Sequence, residues 1–462
     1  MYNKTKKIHF VGVGGIGMSG IAELLLNLGY EVSGSDLNDS VTTRNLESIG
    51  GTIHKGHDGR WVKGADVVVT SSAITKDNPE VVTALAAEIP VIQRAEMLAE
   101  LMRLKKFGIA IAGSHGKTST TSMVSWMMHV ANLDPTIVVG GKVDSLGGNA
   151  KLGQGEFLVA EADESDGSFL KLSPVLEVVT NIDLEHMDHY KDIDHIKATF
   201  LEFIDRIPFY GAVIVCLDDA NIADILPRIK KRKITYGLTA QADLMADHIE
   251  PGNGRVKFAV RHKGESLGSI DLSLAGRHNV YNALAAICVG LELAIPFETI
   301  SKALATFQGV QRRMQLKGKG RGITVIDDYG HHPTEIRATL AAIKEGWPEK
   351  RLVVLFQPHR YSRTLALLEE FRTCFHQADY LVMTEIYAAS EIPDERISGE
   401  ILLDEVKKHG QRKTKFASRV EGLAEALLPE LNEGDLVLTL GAGNIVLAGE
   451  ALVALIEEEK RE

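Results

Sequence analysis

Short apolar runs alternate along this chain with longer segments in which apolar residues recur every three or four positions. The first run, KIHFVGVG, is typical of a buried strand, and the GMSGIAELLLNLG that follows has the spacing of an amphipathic helix. The alternation continues to about residue 104 through EVSGSD, ADVVVTSSAI and a helical segment around AEMLAELMRL. Strands that alternate with helices pair in parallel, because each helix returns the chain across the sheet. The first block therefore predicts a parallel α/β sheet.

The same alternation restarts twice. A second block opens after Lys106 with FGIAIAG and continues through FLVAEADESD, VLEVVTNID and GAVIVCLDD. Within it, near residues 233–274, alternating segments such as RVKFAVRH and SLGSIDLSL predict antiparallel strands. A third block starts after Arg313, with GITVIDDYG, RLVVLFQPH, ADYLVMTEI and DLVLTLGAG as strands. Because 462 residues exceed what one core usually organises, we predict three α/β domains at residues 1–106, 107–313 and 314–462.

Composition narrows the classes of partner. The chain has 51 Lys and Arg against 62 Asp and Glu, a net charge of −11, so we expect neither nucleic acid nor a membrane surface as a partner. The three cysteines, Cys216, Cys288 and Cys374, are far apart in apolar or helical stretches and predict buried thiols in a reducing compartment. With no signal-peptide pattern and no apolar run of about 18 residues, we expect a cytoplasmic protein.

The stretch IAIAGSHGKTSTT, from Ile109 to Thr121, is the strongest chemical signal. An apolar strand breaks into a glycine-rich turn that ends Gly116-Lys117-Thr118 and restarts as a helix. In such a turn the backbone N–H groups and the lysine bind phosphates, and the threonine hydroxyl can ligate Mg²⁺. Ile111 occupies the place of the first glycine of the full motif, and an ordinary tight turn is the alternative. We predict a nucleoside triphosphate site.

A second glycine-rich turn, Gly12-Val13-Gly14-Gly15-Ile16-Gly17, follows the first strand, and Asp36 lies 36 − 17 = 19 residues further on. This spacing is the dinucleotide fingerprint, and on this pattern alone an NAD-dependent oxidoreductase would be favoured. The loop itself requires only a diphosphate at a helix N-terminus, so a UDP-sugar also qualifies. A purely structural turn is the remaining alternative.

Acidic side chains follow two strands of the second block. Glu161 and Glu164 come after FLVA, and carboxylates beside a phosphate loop usually hold Mg²⁺; Glu161 is favoured because it directly ends the apolar run. The alternative is a solvated acidic loop. His186, in NIDLEHMDH, is a candidate second-metal ligand, although a lone histidine is more often structural.

Positive charge gathers at strand ends of the third block. Arg312-Arg313, DDYGHHP at 327–333 and PHRYSR at 358–363 are the relevant segments, and Arg360 and Arg363 could jointly face a carboxylate or phosphate. Solvated surface arginines are the alternative. Asn279 and Asn282, in GRHNVYN at a helix start, could contact a purine base or could simply cap the helix.

Eight separated motifs, in order along nearly the whole chain, resemble those of the Mur ligases, the amino-acid-adding enzymes of bacterial peptidoglycan synthesis. They are GVGGIGMSGIAELLLNLGYEVSGSD, AGSHGKTSTT, EADESDGSFL, NIDLEHMDHY, GRHNVYNALAA, RRMQ, DDYGHHPTEI and FQPHRYSRT. The resemblance implies a Rossmann-like N-terminal domain that binds a UDP-sugar and a P-loop-type central ATPase domain with a mixed sheet. It implies a Rossmann-like C-terminal domain that helps to bind the amino acid.

The resemblance also implies residue roles. The UDP diphosphate would lie on Gly14, Gly15, Ile16 and Gly17, with Asp36 near the nucleoside. ATP would be bound by Gly113, Ser114, His115, Gly116, Lys117, Thr118, Ser119, Asn279, Asn282 and Arg313, and Mg²⁺ by Thr118, Glu161 and His186. The muramoyl carboxylate and the amino acid would contact Asp328, Tyr329, His331, Arg360 and Arg363. The catalytic set would be Lys117, Glu161, His186, His331 and Arg360, with His331 positioning or deprotonating the amine.

The implied reaction is ATP-dependent ligation of L-alanine to the lactyl carboxylate of UDP-N-acetylmuramate through an acyl phosphate, by a monomer or weak homodimer. A recycling ligase that adds a whole tripeptide to the same sugar is the nearest rival, and an oxidoreductase or a nucleotide-gated binding protein represents other classes. Sister ligases use a carbamylated lysine where Phe200 stands here. Lys197 is out of register, so we predict no carbamylation.

Overall fold

The computed structural model describes residues 5–71, 73–143, 148–187, 189–389 and 391–458. These residues form three sheets, of five, ten and six strands. The chain divides into two compact units, one of Met1–Asp247, Ala259–Ile270 and Tyr281–Gln308, the other of His248–Phe258, Asp271–Val280 and Gly309–Glu462. The boundaries at 106 and 313 stay a prediction. Among the described residues, no helix is long and apolar enough to span a bilayer.

The first sheet is all parallel, as the alternating pattern predicted. Its order is β3-β2-β1-β4-β5, the order of a Rossmann-type sheet, in which ligands bind beyond the carboxyl ends of the strands. The strands are β1 Lys7–Val11, β2 Glu31–Asp36, β3 Thr52–Lys55, β4 Val67–Thr70 and β5 Val91–Gln93. The helices are α1 Ile16–Asn27, α2 Val41–Ser48, α3 Pro79–Ala86 and α4 Arg94–Arg103.

The second sheet is mixed, in the order β15-β14-β13-β12-β11-β10-β6-β9-β7-β8. Its strands are β6 Phe107–Ala112, β7 Thr136–Val143, β8 Gly148–Lys151, β9 Phe157–Glu161, β10 Leu176–Val179, β11 Ala212–Cys216, β12 Lys233–Gly237, β13 Leu244–Gly252, β14 Arg255–His262 and β15 Glu265–Leu272. The helices are α5 Lys117–Val130, α6 Ile193–Ile204, α7 Ala220–Ile225, α8 Arg277–Glu292 and α9 Phe297–Thr306.

The antiparallel segment is shorter than the sequence predicted. Two-residue connections join β13 to β14 and β14 to β15, and links this short reverse the chain into hairpins. In contrast, β12 pairs in parallel with both β11 and β13, so the stretch at 233–237 extends the parallel part of the sheet. The prediction of antiparallel strands over residues 233–274 was therefore wrong for β12. This strand has few apolar residues, and they do not show whether it pairs in parallel or antiparallel.

The third sheet has the order β16-β17-β21-β18-β19-β20, with β16 antiparallel and the rest parallel. Its strands are β16 Gln315–Gly320, β17 Ile323–Asp328, β18 Leu352–Phe356, β19 Tyr380–Thr384, β20 Thr414–Ala417 and β21 Leu436–Leu440. The helices are α10 Pro333–Gly346, α11 Tyr361–Ala366, α12 Leu368–Phe371, α13 Gly399–Lys408, α14 Leu423–Leu427 and α15 Val446–Glu458. Val354 and Leu355 belong to two separate core clusters, because neighbouring strand residues face opposite sides of the sheet.

The three cysteines are free and buried, as predicted. Burial raises the pKa of all three thiols, that of Cys216 to about 12. These thiols therefore act as small apolar core residues.

Candidate functional site

The turn between β6 and α5 can be built only from glycine at two positions. Gly113 has a φ of +124°, and a Cβ there would lie 2.1 Å from Thr180 Oγ1. Gly116 has a φ of +80°, and a Cβ there would lie 2.5 Å from Asn282 Oδ1. The turn begins where an inner strand of the sheet ends and leads into the first turn of a 14-residue helix. This geometry is that of a phosphate-binding loop.

The ammonium of Lys117 lies inside this turn. Its Nζ donates to Gly113 O at 2.7 Å, to Ser114 O at 3.1 Å and to Glu164 Oε1 at 2.8 Å. Burial alone would lower the pKa of Lys117, but the carboxylates of Glu164, Glu161 and Asp163 outweigh it and raise that pKa. The lysine is therefore a fixed positive charge beside the loop.

Glu161 and Glu164, which the sequence offered as alternatives, both belong to the site. Glu161 Oε1 accepts from Thr118 Oγ1 at 3.2 Å, and its Oε2 accepts from Gly140 N at 2.9 Å. Glu164 is only 2% exposed, so this acidic stretch is not the solvated loop that was the alternative. Its Oε2 is buried without a hydrogen-bond partner, although a buried polar atom normally has one.

His186 lies beside the same carboxylate. Its Nε2 is 3.5 Å from Glu164 Oε1 and 3.8 Å from Glu185 Oε2, and one ligand atom from each of the three residues fits within a 4.8 Å cluster. Burial would lower the pKa of His186, but its hydrogen bond to Glu164 and the charges of Glu185 and Glu164 raise it. Sequence reasoning missed Glu185, although it directly precedes the predicted histidine.

Arg94 lies between the first glycine-rich loop and the acidic stretch that follows β9. Its Nη2 donates to Asp163 Oδ2 at 3.1 Å, and a Cβ on Gly17 would lie 3.1 Å from its guanidinium. Burial would raise the pKa of Asp163, but Lys117 and Arg94 lower it. Nothing in the local sequence identified Arg94, because α4 begins 77 residues after Gly17.

The first glycine loop is held by the neighbouring strand β2. Ser35 O accepts from the N–H groups of Gly12 and Val13 at 2.8 and 2.9 Å. Asp36 Oδ2 accepts from Gly14 N at 2.9 Å, and a Cβ on Gly14 would lie 2.8 Å from the same oxygen. The acid that the motif placed near the nucleoside thus also anchors the loop.

The two asparagines of α8 have different surroundings. Asn282 Oδ1 accepts from Thr120 Oγ1 at 3.2 Å and lies against Gly116, so it borders the phosphate loop. Asn279 Nδ2 donates to Ala275 O at 2.8 Å, a contact at the start of the helix. The adenine role of both stays a prediction.

A cluster of cations and rings lies at the carboxyl ends of β17 and β18. The guanidinium groups of Arg312 and Arg313 lie 5.0 and 5.1 Å from the ring centre of Tyr329. Asp328, which ends β17, accepts from Met314 N and Gly330 N, both at 2.8 Å. Burial raises the pKa of Asp328 to about 6 against the effect of Arg313. Asp328 therefore shapes the turn that carries Tyr329.

His331 and His359 face each other in this cluster, with ring centres 5.8 Å apart. His331 Nδ1 lies 3.1 Å from Tyr329 O, so it must donate, and the lone pair of the neutral ring is on Nε2. His359 Nδ1 must accept, because the Nη1 of Arg363, 3.1 Å away, only donates. Burial and the cations around it lower the pKa of His359 to about 3. Sequence reasoning missed His359, although it belongs to the PHRYSR segment.

Arg360 has a buried side-chain donor without an acceptor. It is the N-cap of α11, just after β18, and its Nε is buried without a hydrogen-bond partner. A buried guanidinium nitrogen normally has an acceptor, which a ligand carboxylate can supply. Arg360 and Arg363 both follow the carboxyl end of β18, which is where the sequence predicted them.

Three family models match consecutive parts of the chain: the Mur ligase family catalytic domain over residues 7–106, the Mur ligase middle domain over 111–290 and the Mur ligase glutamate ligase domain over 312–443. The chain is 68% identical to the UDP-N-acetylmuramate–L-alanine ligase of Desulfotalea psychrophila over 459 residues, 99% of this chain and 100% of that protein. The chain belongs to the Mur ligase family.

Solved structures of other Mur ligases share the whole architecture. The UDP-N-acetylmuramate-alanine ligase of Thermotoga maritima matches with a TM-score of 0.84 and 29% identity, over 98% of this chain and 99% of that one. A murein peptide ligase of Psychrobacter arcticus matches with a TM-score of 0.72 and 24% identity, over 98% of both chains, which shows the shared fold. The three-domain α/β fold predicted from the sequence is confirmed.

The lysine carbamylated in sister Mur ligases has no counterpart at the predicted place. Phe200 of α6 is fully buried, and Lys197 Nζ pairs with Asp224 Oδ2 at 2.9 Å. The absence of carbamylation stays a prediction that this ion pair supports.

Proposed function

We propose that this Mur ligase joins L-alanine to the lactyl carboxylate of UDP-N-acetylmuramate through an acyl phosphate, with release of ADP and phosphate from ATP, in peptidoglycan precursor synthesis. The observation that carries the proposal is the 68% identity, over the full length, to a UDP-N-acetylmuramate–L-alanine ligase. The charged phosphate loop supplies the chemistry that such a ligase needs. We assign ATP to this loop and the UDP diphosphate to the loop at residues 12–17.

A carboxylate is a poor electrophile, so the muramoyl carboxylate is first phosphorylated by ATP to an acyl phosphate. Lys117 stabilises the negative charge of the phosphoryl group during its transfer. The contacts of Lys117 Nζ with Gly113 O and Ser114 O hold the ammonium at the loop. Glu164 Oε1 holds the ammonium in this position, and its Oε2, which is buried without a partner, can contact a ligand.

The donor set of Thr118 and Glu161 is all oxygen, which Mg²⁺ prefers, and the second set combines two carboxylates with one imidazole nitrogen. Thr118 and Glu161 would hold one ion, and Glu164, Glu185 and His186 a second, since each set brings its ligand atoms together. When bound, the ions would neutralise charge on the phosphates. Glu161 Oε2 is oriented independently of any ion, because Gly140 N donates to it.

The deprotonated amine of L-alanine attacks the activated carbonyl to form a tetrahedral intermediate, which loses phosphate and one N–H proton to give the amide. Arg360 and Arg363 bind the carboxylate of the amino acid, and the ring of His331 positions the amine. The contact of His331 Nδ1 with Tyr329 O keeps the ring in one orientation, which is what a positioning group requires.

Phosphate release and ligand binding together distinguish the proposed ligase from its three rivals. Phosphate release from ATP is measured with UDP-N-acetylmuramate and, in separate reactions, L-alanine, other amino acids or the tripeptide. We expect release that requires both the sugar and L-alanine. Release with tripeptide alone would make the protein a recycling ligase, and ATP binding without any release would make it a nucleotide-gated binding protein. Nicotinamide binding at residues 12–17 would return an oxidoreductase to consideration.

We predict that Gly14→Ala weakens binding of the UDP-sugar about 100-fold while binding of ATP changes less than twofold. The new Cβ would lie 2.8 Å from Asp36 Oδ2, so either the loop or the acid must move away from the diphosphate position. Calorimetric titration with each ligand measures both affinities. Gly252→Ala is the control, since the φ of Gly252 is not positive and a Cβ there meets no atom within 4 Å. Equal loss of both affinities in Gly14→Ala would contradict the assignment.

ATP and a UDP-activated sugar are cytoplasmic metabolites, so we place the reaction in the cytoplasm. A monomer or weak homodimer stays our prediction for the oligomeric state.

A further inference from the structure

The backbone of Arg360 is strained. Its φ of +68° and ψ of 136° lie in a region that residues with a side chain rarely adopt. Such residues persist only where the surrounding structure holds them, and they cluster at ligand-binding positions. The Nε of the same residue is buried without a hydrogen-bond partner, so it can donate to a ligand.

Tyr387 holds the segment on the N-terminal side of Arg360, residues 358–360. Arg360 N donates to Tyr387 O at 2.9 Å, and Tyr387 N donates to Pro358 O at 2.8 Å, which makes a single bridge between the two segments. The Tyr387 ring stacks on His359, with centres 5.6 Å apart and an interplanar angle of 8°. The residues before Arg360 are thus fixed by backbone and ring contacts.

Glu391 holds the segment on the C-terminal side of Arg360, at Ser362. Its Oε2 accepts from Ser362 N at 3.1 Å, and its Oε1 accepts from Ser362 Oγ at 2.5 Å. Ser362 lies between Arg360 and Arg363, so one carboxylate fixes the backbone that carries both guanidinium groups. The backbone of Glu391 is also held, since its N–H donates to Ala388 O at 3.0 Å.

We propose that Glu391 is a positioning residue for the amino acid substrate. Its carboxylate holds Ser362, and through it Arg360 and Arg363, in the orientation that receives the carboxylate of L-alanine. Both oxygens of Glu391 are used by Ser362, so the residue acts through the arginines and not on the substrate. This inference rests on the proposed function, in which these two arginines bind alanine.

Steady-state kinetics of Glu391→Ala test the proposal. If the loosened turn is competent to bind for only about one tenth of the time, the KM for L-alanine rises about tenfold, while kcat and the KM for ATP stay within about twofold. Glu391→Gln keeps one accepting oxygen, so we expect a smaller rise. Ser362→Ala should reproduce part of the effect, and the double variant Glu391→Gln/Ser362→Ala should be no worse than Glu391→Ala.

Glu395→Ala is the matched control, because it removes an exposed acid four residues away and should change no constant. An unchanged KM for L-alanine in Glu391→Ala, or an equal rise in the KM for ATP, would overturn the proposal. If Glu391→Ala does not fold, Glu391→Gln and Ser362→Ala decide it by the same criterion. Failure of the wild-type protein to use L-alanine would instead overturn the proposed function.

Discussion

Replacement of Lys117 by alanine is expected to lower kcat for phosphate release at least about 1000-fold, with the affinity for UDP-N-acetylmuramate unchanged within twofold. The ammonium is the one side-chain cation that the structure places inside the phosphate loop among the described residues, and no water molecule can supply its charge. The diphosphate loop belongs to a different sheet, held by Ser35 and Asp36, so it keeps its shape. Quenched-flow measurement of acyl phosphate and calorimetric titration with the sugar separate the two effects.

The variant must be distinguished from a destabilised protein. Removal of Lys117 takes the nearer cation from Glu164, which is 2% exposed, and leaves it only His186 at 3.5 Å; breaking a buried ion pair in this way costs up to about 3–5 kcal/mol. The double variant Lys117→Met/Glu164→Gln removes both charges and should recover stability but not activity. Lys106→Ala, which removes an exposed lysine paired with Glu156, is the surface control. If Lys117→Ala lost sugar affinity as severely as activity, the assignment of the two loops would be wrong.

Replacement of Glu177 by methionine is expected to stabilise the protein, and more so as the pH rises. Glu177 lies on β10, is fully buried, and neither of its carboxylate oxygens has a hydrogen-bond partner. Burial therefore raises the pKa of Glu177 well above the ordinary value of 4.5. Between pH 4.5 and the raised pKa, the folded protein keeps this carboxyl protonated, whereas the unfolded chain ionises it. The wild type thus loses about 1.4 kcal/mol of stability for each pH unit above 4.5, until the folded pKa is reached.

Thermal melting of wild type and variants at pH 5.5, 7 and 8 tests this prediction. We expect Glu177→Met to gain up to about 3 kcal/mol relative to wild type between pH 5.5 and 8, a shift in Tm of several degrees. Glu177→Gln also cannot ionise but keeps unpaired polar atoms, so it should lose the pH dependence and gain less. Glu265→Met, at an exposed position on β15, is the control and should show neither effect. If the gain in stability of Glu177→Met did not grow with pH, the conclusion that folded Glu177 is buried in its neutral form would be wrong.

Local signals in the sequence were sufficient for most of the strands and for the position of both glycine loops. Apolar runs of four to six residues and helical spacing depend only on neighbouring residues, so β1, β6 and β9 were predicted close to their observed positions. The edge strands β16 and β20 were not predicted. They have few apolar residues, because an edge strand is less completely covered than a central one.

Sequence patterns by themselves determined the family and the three α/β blocks. They also predicted Lys117, Glu161, Arg360 and Arg363 as site residues, because each belongs to a motif or directly ends a strand. Only the tertiary structure decided which groups meet. It paired Lys117 with Glu164, brought Arg94 to Asp163, set His359 against Tyr387 and clamped Ser362 with Glu391. These partners are separated by between 28 and 69 residues in the chain. Their contacts depend on strand order and side-chain packing, which no local pattern of residues encodes.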